Sequence, residues 1–255
     1  KTVSLADASL SGTDAGNYVL DSVDNGTAAI TKADPICIIE GYTGVYDGLA
    51  HGASGNCIGV QDETLGSLFL GDPFTDVPGG TVYWTFTDST GNYYDDSGSV
   101  EIVINKADPV CSISGYTGVY DGDPHGASGT CTGVKDETLT TLDLGATFIN
   151  EPGGTANWTF TDSSGNYEDE GGSAKIVIEK ATLTVTADDQ TAQYSDITPP
   201  LTFDYSGFVG SEGPDDLITI PTCSTTRLIS SPAGDYPITC SGGVDDNYTF
   251  SYVNG

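Results

Sequence analysis

The chain has 255 residues, with 37 acidic against 7 basic ones, for a formal net charge of −30. Phosphate binding needs clustered Lys or Arg, so nucleic acid is excluded as a partner, and repulsion excludes an anionic membrane surface. No apolar run approaches the roughly 20 residues of a membrane span, so direct membrane insertion is not expected.

The chain opens at KTVSLADASL, without an initiating Met or a signal peptide, and reads as a fragment or mature portion of something longer. Residues 1–33 predict two to four strands, SLADASL and NYVLDSV among them, joined by SGTDAG. So few strands are too small for independent stability, which predicts a piece completed elsewhere. It ends in TAAITKADP, a phrase echoed later by INKADP and IEKATL.

Residues 34–106 and 108–180 are two copies of one segment. A shift of 74 residues carries Cys37 onto Cys111, Cys57 onto Cys131, Trp84 onto Trp158 and Lys106 onto Lys180. GYTGVYDG, HGASG, WTFTD and GNY recur letter for letter. A fixed period of this size predicts an array of small modules rather than one large core. Turn signals arrive every eight to twelve residues, as at Tyr46-Asp47-Gly48, Gly71-Asp72-Pro73 and Pro78-Gly79-Gly80. Val82, Trp84 and Phe86 alternate with Tyr83, Thr85 and Thr87, and Val100, Ile102 and Ile104 alternate with Glu101, Val103 and Asn105. Period two with β-branched and aromatic residues is the strand signature. No stretch holds a 3.6-residue period, and DETLGSL is at most one helical turn. A β-grasp with one helix is therefore disfavoured.

Residues 181–255 predict a related, diverged β-module ending in a hairpin, YPITCSGG to NYTFSYVNG, with one further strand expected beyond Gly255. Lys106-Ala107 and Lys180-Ala181 join the segments with no flexible spacer, which predicts a rod.

The six cysteines divide as Cys37 and Cys57, Cys111 and Cys131, Cys223 and Cys240, at separations of 20, 20 and 17. None forms a CxxC, and neither histidine lies at metal-ligand spacing, so zinc is disfavoured and one disulfide per module is expected. Modules this small bury a modest core and profit from such a staple.

At this point the residues resemble a known family. GYTGVYDG with its closing GNY, and LTVTADDQTAQYSD with LTFDYSGFVGSE, SPAGDYPITCSGG and NYTFSYVNG, are similar to the MBG-type repeats of bacterial surface proteins. SLSGTDAGNYVL followed by AAITKADP resembles the tail of the YDG-type repeats of large haemagglutinin-like adhesins. The resemblance implies tandem Ig-like β-sandwich modules, arranged end to end, in secreted or surface-anchored proteins. It makes 1–33 the C-terminal part of a YDG-type module, 34–106 and 107–180 two Ig-like repeats, and 181–255 an MBG-type module. It supplies no catalytic residues.

Four sets of residues are candidates for chemistry. Asp88, Asn92, Asp95 and Asp96 lie in one hairpin loop, with Asp162, Asn166, Glu168, Asp169 and Glu170 in its copy. Spaced oxygen ligands on a glycine-containing loop are what calcium takes, although the terminal Glu of an EF-hand is absent. The simpler reading is solvated acidic turns. Tyr42, Tyr46, Tyr116 and Tyr120 are candidates to stack on sugar rings, set against ordinary sandwich packing. His51 and His125 recur in HGASG without an accompanying nucleophile and orienting acid, so a turn-capping role is expected rather than catalysis. Asn25, Asn157 and Asn247 begin glycosylation sequons that arise near chance in so Thr-rich a chain.

The expectation is a non-enzymatic stalk or fibre segment at the cell surface or outside the cell. Its partners are copies of itself or neighbouring modules of the same chain, and calcium is its one candidate cofactor. The competing expectation is an adhesin module that binds glycans.

Overall fold

The computed structural model describes residues 1–3 and 5–255; the expected SLADASL strand falls partly on Ser4, outside them. The fold is all-β, with no α-helix among the described residues. The chain divides into two compact units, Lys1–Asn105 and Lys106–Gly255.

In the first unit, β1 (Thr2–Val3) pairs antiparallel with β2 (Gly26–Thr27), and Ala15–Asn17 forms one 3-10 turn between them. The apolar side chains around them face water: Val19 is 90% exposed and Tyr18 71%. The first repeat then supplies seven strands: β3 (Ile36–Glu40), β4 (Tyr42–Val45), β5 (Ser54–Ile58), β6 (Thr64–Leu65), β7 (Leu68–Phe69), β8 (Gly79–Phe86) and β9 (Asp96–Asn105). They form two sheets, β3-β5-β6 and β4-β9-β8-β7. Every pairing is antiparallel except β4 with β9, which is parallel. The chain changes sheet between β3 and β4 at Gly41, where a Cβ would run into the carbonyl of Glu101, so only glycine permits the step. The expected alternation holds in β8. Val82, Trp84 and Phe86 are buried while Tyr83 and Thr85 face solvent. Cys57, Trp84, Phe86 and Tyr93 make one core cluster, and Val82, Ile102 and Ile104 another.

The second unit repeats this plan with β10 (Val110–Ser114), β11 (Tyr116–Val119), β12 (Ser128–Thr132), β13 (Thr138–Leu139), β14 (Leu142–Asp143), β15 (Gly153–Phe160) and β16 (Glu170–Glu179). Their sheets, β10-β12-β13 and β11-β16-β15-β14, keep the registers of the first repeat, and Gly115 makes the same sheet change. Trp158, the copy of the buried Trp84, is only half-buried. DETLGSL and its copy contain no helical turn. Each gives two short strands, with Asp62, Ser67 and Asp136 at positive φ.

The C-terminal segment contains β17 (Ala181–Ala187), β18 (Phe203–Ser206), β19 (Thr222–Thr225), β20 (Ile238–Ser241) and β21 (Tyr248–Val253), with one 3-10 turn at Pro214–Asp216. The sheets are β18-β17-β21 and β19-β20. This overturns the expected closing hairpin. β21 spends its length pairing in parallel with β17, from Ala181 opposite Tyr248 to Thr186 opposite Val253. β20 pairs instead with β19; near the end of the chain Ile238 and Gly255 exchange backbone hydrogen bonds of 3.1 Å, and Ile238 and Cys240 share a core cluster with Phe250 and Tyr252. The routing differs from that of the repeats: β16 lies between β11 and β15, whereas β21 is the edge of its sheet and β20 lies in the other sheet with β19.

All three cysteine pairs are disulfides: Cys37–Cys57, Cys111–Cys131 and Cys223–Cys240. Each joins residues directly opposite in an antiparallel pair, with Cα atoms 3.9–4.0 Å apart.

Candidate functional site

The most developed polar cluster lies inside the second unit, where the second repeat runs through Lys180-Ala181 into the C-terminal segment. Its foundation is a three-residue arrangement that occurs once in each of the three segments. Tyr93 follows the GN of a hairpin loop, accepts a hydrogen bond from the Val60 amide at 3.1 Å and donates to Glu63. Tyr167 does the same with the Val134 amide at 3.0 Å and with Glu137. Tyr248 does it with the Val209 amide at 2.8 Å and with Glu212. The carboxylate prefers the neutral, donating phenol, so the Tyr93 hydroxyl titrates above its usual range and Glu63 below its own. In the repeats a glycine precedes the valine because Tyr and Glu lie over it; a Cβ at Gly59 or Gly133 would strike both.

In the C-terminal segment this arrangement gains a fourth member from the preceding repeat. Tyr120 donates to one oxygen of Glu212 and Tyr248 to the other. The bond to Glu212, with burial second, pushes the Tyr120 phenol up to about 12. Burial first, then Glu212, raises Tyr248 as well. The two rings meet edge to face at 5.8 Å, and Phe208 meets Tyr248 in the same way. Around them, one apolar cluster draws Ala156, Ile176 and Ile178 from the repeat together with Leu183 and Leu217 from the segment. Asn247 completes the seam: its side chain accepts from the Glu151 amide at 3.1 Å and donates to Asn150 at 3.0 Å, and its carbonyl accepts from Ala181 at 2.9 Å. Lys180 reaches the Asp245 carbonyl at 2.8 Å. The chemistry is that of a packed, hydrogen-bonded joint.

The calcium candidates occupy a different setting. Asp88 accepts from the amides of Tyr93 and Thr90, both at 2.9 Å, and Asp95 accepts from the Asp88 amide at 2.9 Å. Asp162 and Asp169 repeat these contacts with Tyr167, Ser164 and the Asp162 amide. The Asn92 and Asn166 carbonyls accept from Ala33 and Ala107, while Asp96 accepts from Ser97. These carboxylates thus bind their own loops, and the Tyr93 amide above all holds Asp88 down to about 2. Among the described residues no group of three or more His, Cys, Asp or Glu is gathered to hold a metal ion.

Of the tyrosines, Tyr42 and Tyr116 lie flat on His51 and His125, with ring centroids 3.9 and 3.8 Å apart. Each histidine Nε2 meets Asp47 or Asp121 at 2.9 Å, so the histidines stack on tyrosine as well as sitting in a turn. Tyr120 is buried in the joint and Tyr46 is half-buried. Within the second unit, Tyr116 is thus taken up by a histidine and Tyr120 by the joint.

Sequence reasoning passed over Glu63, Glu137, Glu212 and Tyr248, and it read Asn247 only as a sequon. The signal was available, since GVQDE, GVKDE and FVGSE each precede an Asn-Tyr pair.

Residues 183–255 match the family model described as the MBG domain (YGX type), which is consistent with an MBG-type repeat in this segment. Such repeats are modules of large surface proteins. No curated protein matches the chain. The three disulfides fit an extracellular location, and no helix is long and apolar enough to cross a membrane.

Proposed function

We propose that the chain is a stalk segment of an extracellular surface protein, built of tandem Ig-like modules and devoid of enzymatic activity. The supporting observation is the seam at Lys180-Ala181. A stalk must pass force between modules, and here Tyr120, Glu212, Tyr248 and Asn247 bind across the junction over a shared apolar core. The Ig-like reading is supported by two-sheet repeats in which an early strand changes sheet and pairs in parallel with the last. Its partners are neighbouring modules or further copies of the chain, and the acidic surface keeps such copies soluble.

The test is replacement. On a cell displaying the parent protein, an unrelated rigid spacer of equal length should restore surface function when it replaces these residues. Loss of adhesion with the spacer in place would instead favour the adhesin reading, in which glycan contact by the segment is what surface function requires.

A further inference from the structure

The C-terminal segment contains a cleft of about 660 Å3 that the joint does not use. That volume lies within the roughly 300–1,000 Å3 of small-molecule sites. One side is the strand-free stretch from Asp189 to Thr198, the other the stretch from Ser231 to Pro237, and Leu201 and Ile238 contribute apolar wall between them.

Two features show a built wall rather than a gap between loops. Arg227, the chain's one arginine, donates to Thr198 and to the carbonyls of Gln193 and Asp196, each at 3.1 Å. Three of its five N–H donors thus fix the first stretch, leaving two for a ligand. Tyr236 donates from its hydroxyl to the Pro232 carbonyl at 2.9 Å, which sets the direction of its ring in the second stretch. Tyr194, also lining the cleft, is 69% exposed and so offers a ring face to solvent.

The chemistry of the lining narrows the ligand. Asp189 and Asp235 lie on the cleft, and the chain carries −30, so a polyanion is repelled. A purely apolar ligand would strip water from Gln190, Gln193 and Arg227 without replacing their hydrogen bonds. A molecule with flat apolar faces and a rim of hydroxyls suits tyrosine rings beside amide, carboxylate and guanidinium groups. We propose that this cleft binds a neutral oligosaccharide, with Tyr194 and Tyr236 against the sugar faces and Gln190 and Arg227 on its hydroxyls.

The experiment titrates the whole chain with cellotetraose, maltotetraose, chitotetraose and sialyllactose, following binding by calorimetry. Saturable binding of at least one neutral sugar is expected, and Tyr194→Ala should weaken it about tenfold or more. Because Tyr194 is exposed, that variant should melt like the parent, and Arg227→Gln gives a second loss through the loosened wall. Tyr83→Ala, an exposed tyrosine in the first unit, should leave binding unchanged. Three results would overturn the proposal: no binding of any neutral sugar, binding of sialyllactose alone, or binding that survives Tyr194→Ala undiminished.

Discussion

The second repeat and the C-terminal segment answer one problem in two ways. Both anchor a tyrosine beyond an Asn on a valine amide and a glutamate: Tyr167 on Val134 and Glu137, Tyr248 on Val209 and Glu212. They differ in the opening strand. The repeat breaks it at Gly115 and shares it between two sheets, whereas β17 runs unbroken from Ala181 to Ala187 in one sheet. The disulfide differs too, tying the first strand to the third in the repeat but β19 to β20 in the segment. The comparison teaches that the tyrosine anchor is the common element, around which strand routing and crosslink have both been changed.

The strongest way to break the comparison is to empty the shared core. Leu183 is fully buried in the cluster that also contains Ile176 and Ile178 of the repeat. Leu183→Ala should cost about 2–5 kcal/mol. If the core is common property, calorimetry will show the repeat and the segment losing stability together. A drop confined to the segment would separate them.

Next in size, loss of either disulfide in the second unit should cost on the order of 3 kcal/mol by the loop-closure model, since the loops span 20 and 17 residues. Paired Cys→Ser changes, compared by urea midpoint, should therefore give nearly equal effects despite the different routing. The anchors come third. Tyr248→Phe leaves the Val209 amide and a Glu212 oxygen without their partner, at about 1–3 kcal/mol. Tyr120→Phe should cost less, since only the second of these groups is affected, and the double change should fall short of the sum because both share Glu212.

Much of this was legible in the sequence. Period two in Val82, Trp84 and Phe86 announced strands with a buried face, and cysteine spacing announced the pairs. The parallel pairings were not legible, because alternation reports which face is buried and not which strand lies alongside. The hairpin expected at β20 and β21 failed for that reason: each strand looked right, but their partners were β19 and β17. The joint was hidden because Tyr120 and Glu212 stand 92 residues apart, and a lone glutamate in FVGSE carries no local pattern. The acidic loops looked like ligand sets because sequence counts carboxylates but not the backbone amides that occupy them.

Those amides give the repeats a signature at low pH. The folded pKa of Asp88, about 2, lies below its ordinary 3.8, chiefly through the Tyr93 amide. A depressed carboxylate contributes stability that is present above the unfolded value and lost as pH falls through the folded one. In Asp162 burial opposes the Tyr167 and Ser164 amides, and the amides prevail, so it too titrates low. Acid titration should therefore weaken the first repeat between about pH 4 and pH 2, and the second as pH falls below the ordinary carboxylate range. Asp88→Asn should flatten that limb for the first repeat alone, as followed by Trp84 fluorescence with Trp158 replaced by Phe. A limb unchanged by Asp88→Asn would assign it to other carboxylates.

The smallest expected effect concerns a defect peculiar to the C-terminal segment. The Tyr205 hydroxyl is buried without a hydrogen-bond partner, among the rings of Phe203 and Phe208. Burial, with a lesser contribution from Tyr252, pushes its pKa up, as expected for a phenol in apolar surroundings. A buried polar atom with nothing to bind costs free energy, so removing it should not destabilise the fold. Tyr205→Phe should leave the melting temperature unchanged or raise it slightly, whereas Tyr248→Phe, the same chemical change one ring away through Phe208, should lower it. The contrast isolates the hydrogen bonds from the ring packing, since both variants keep the ring. Equal losses in the two would mean that the Tyr248 hydroxyl adds nothing beyond its ring, and the anchor would have to be rebuilt on packing alone.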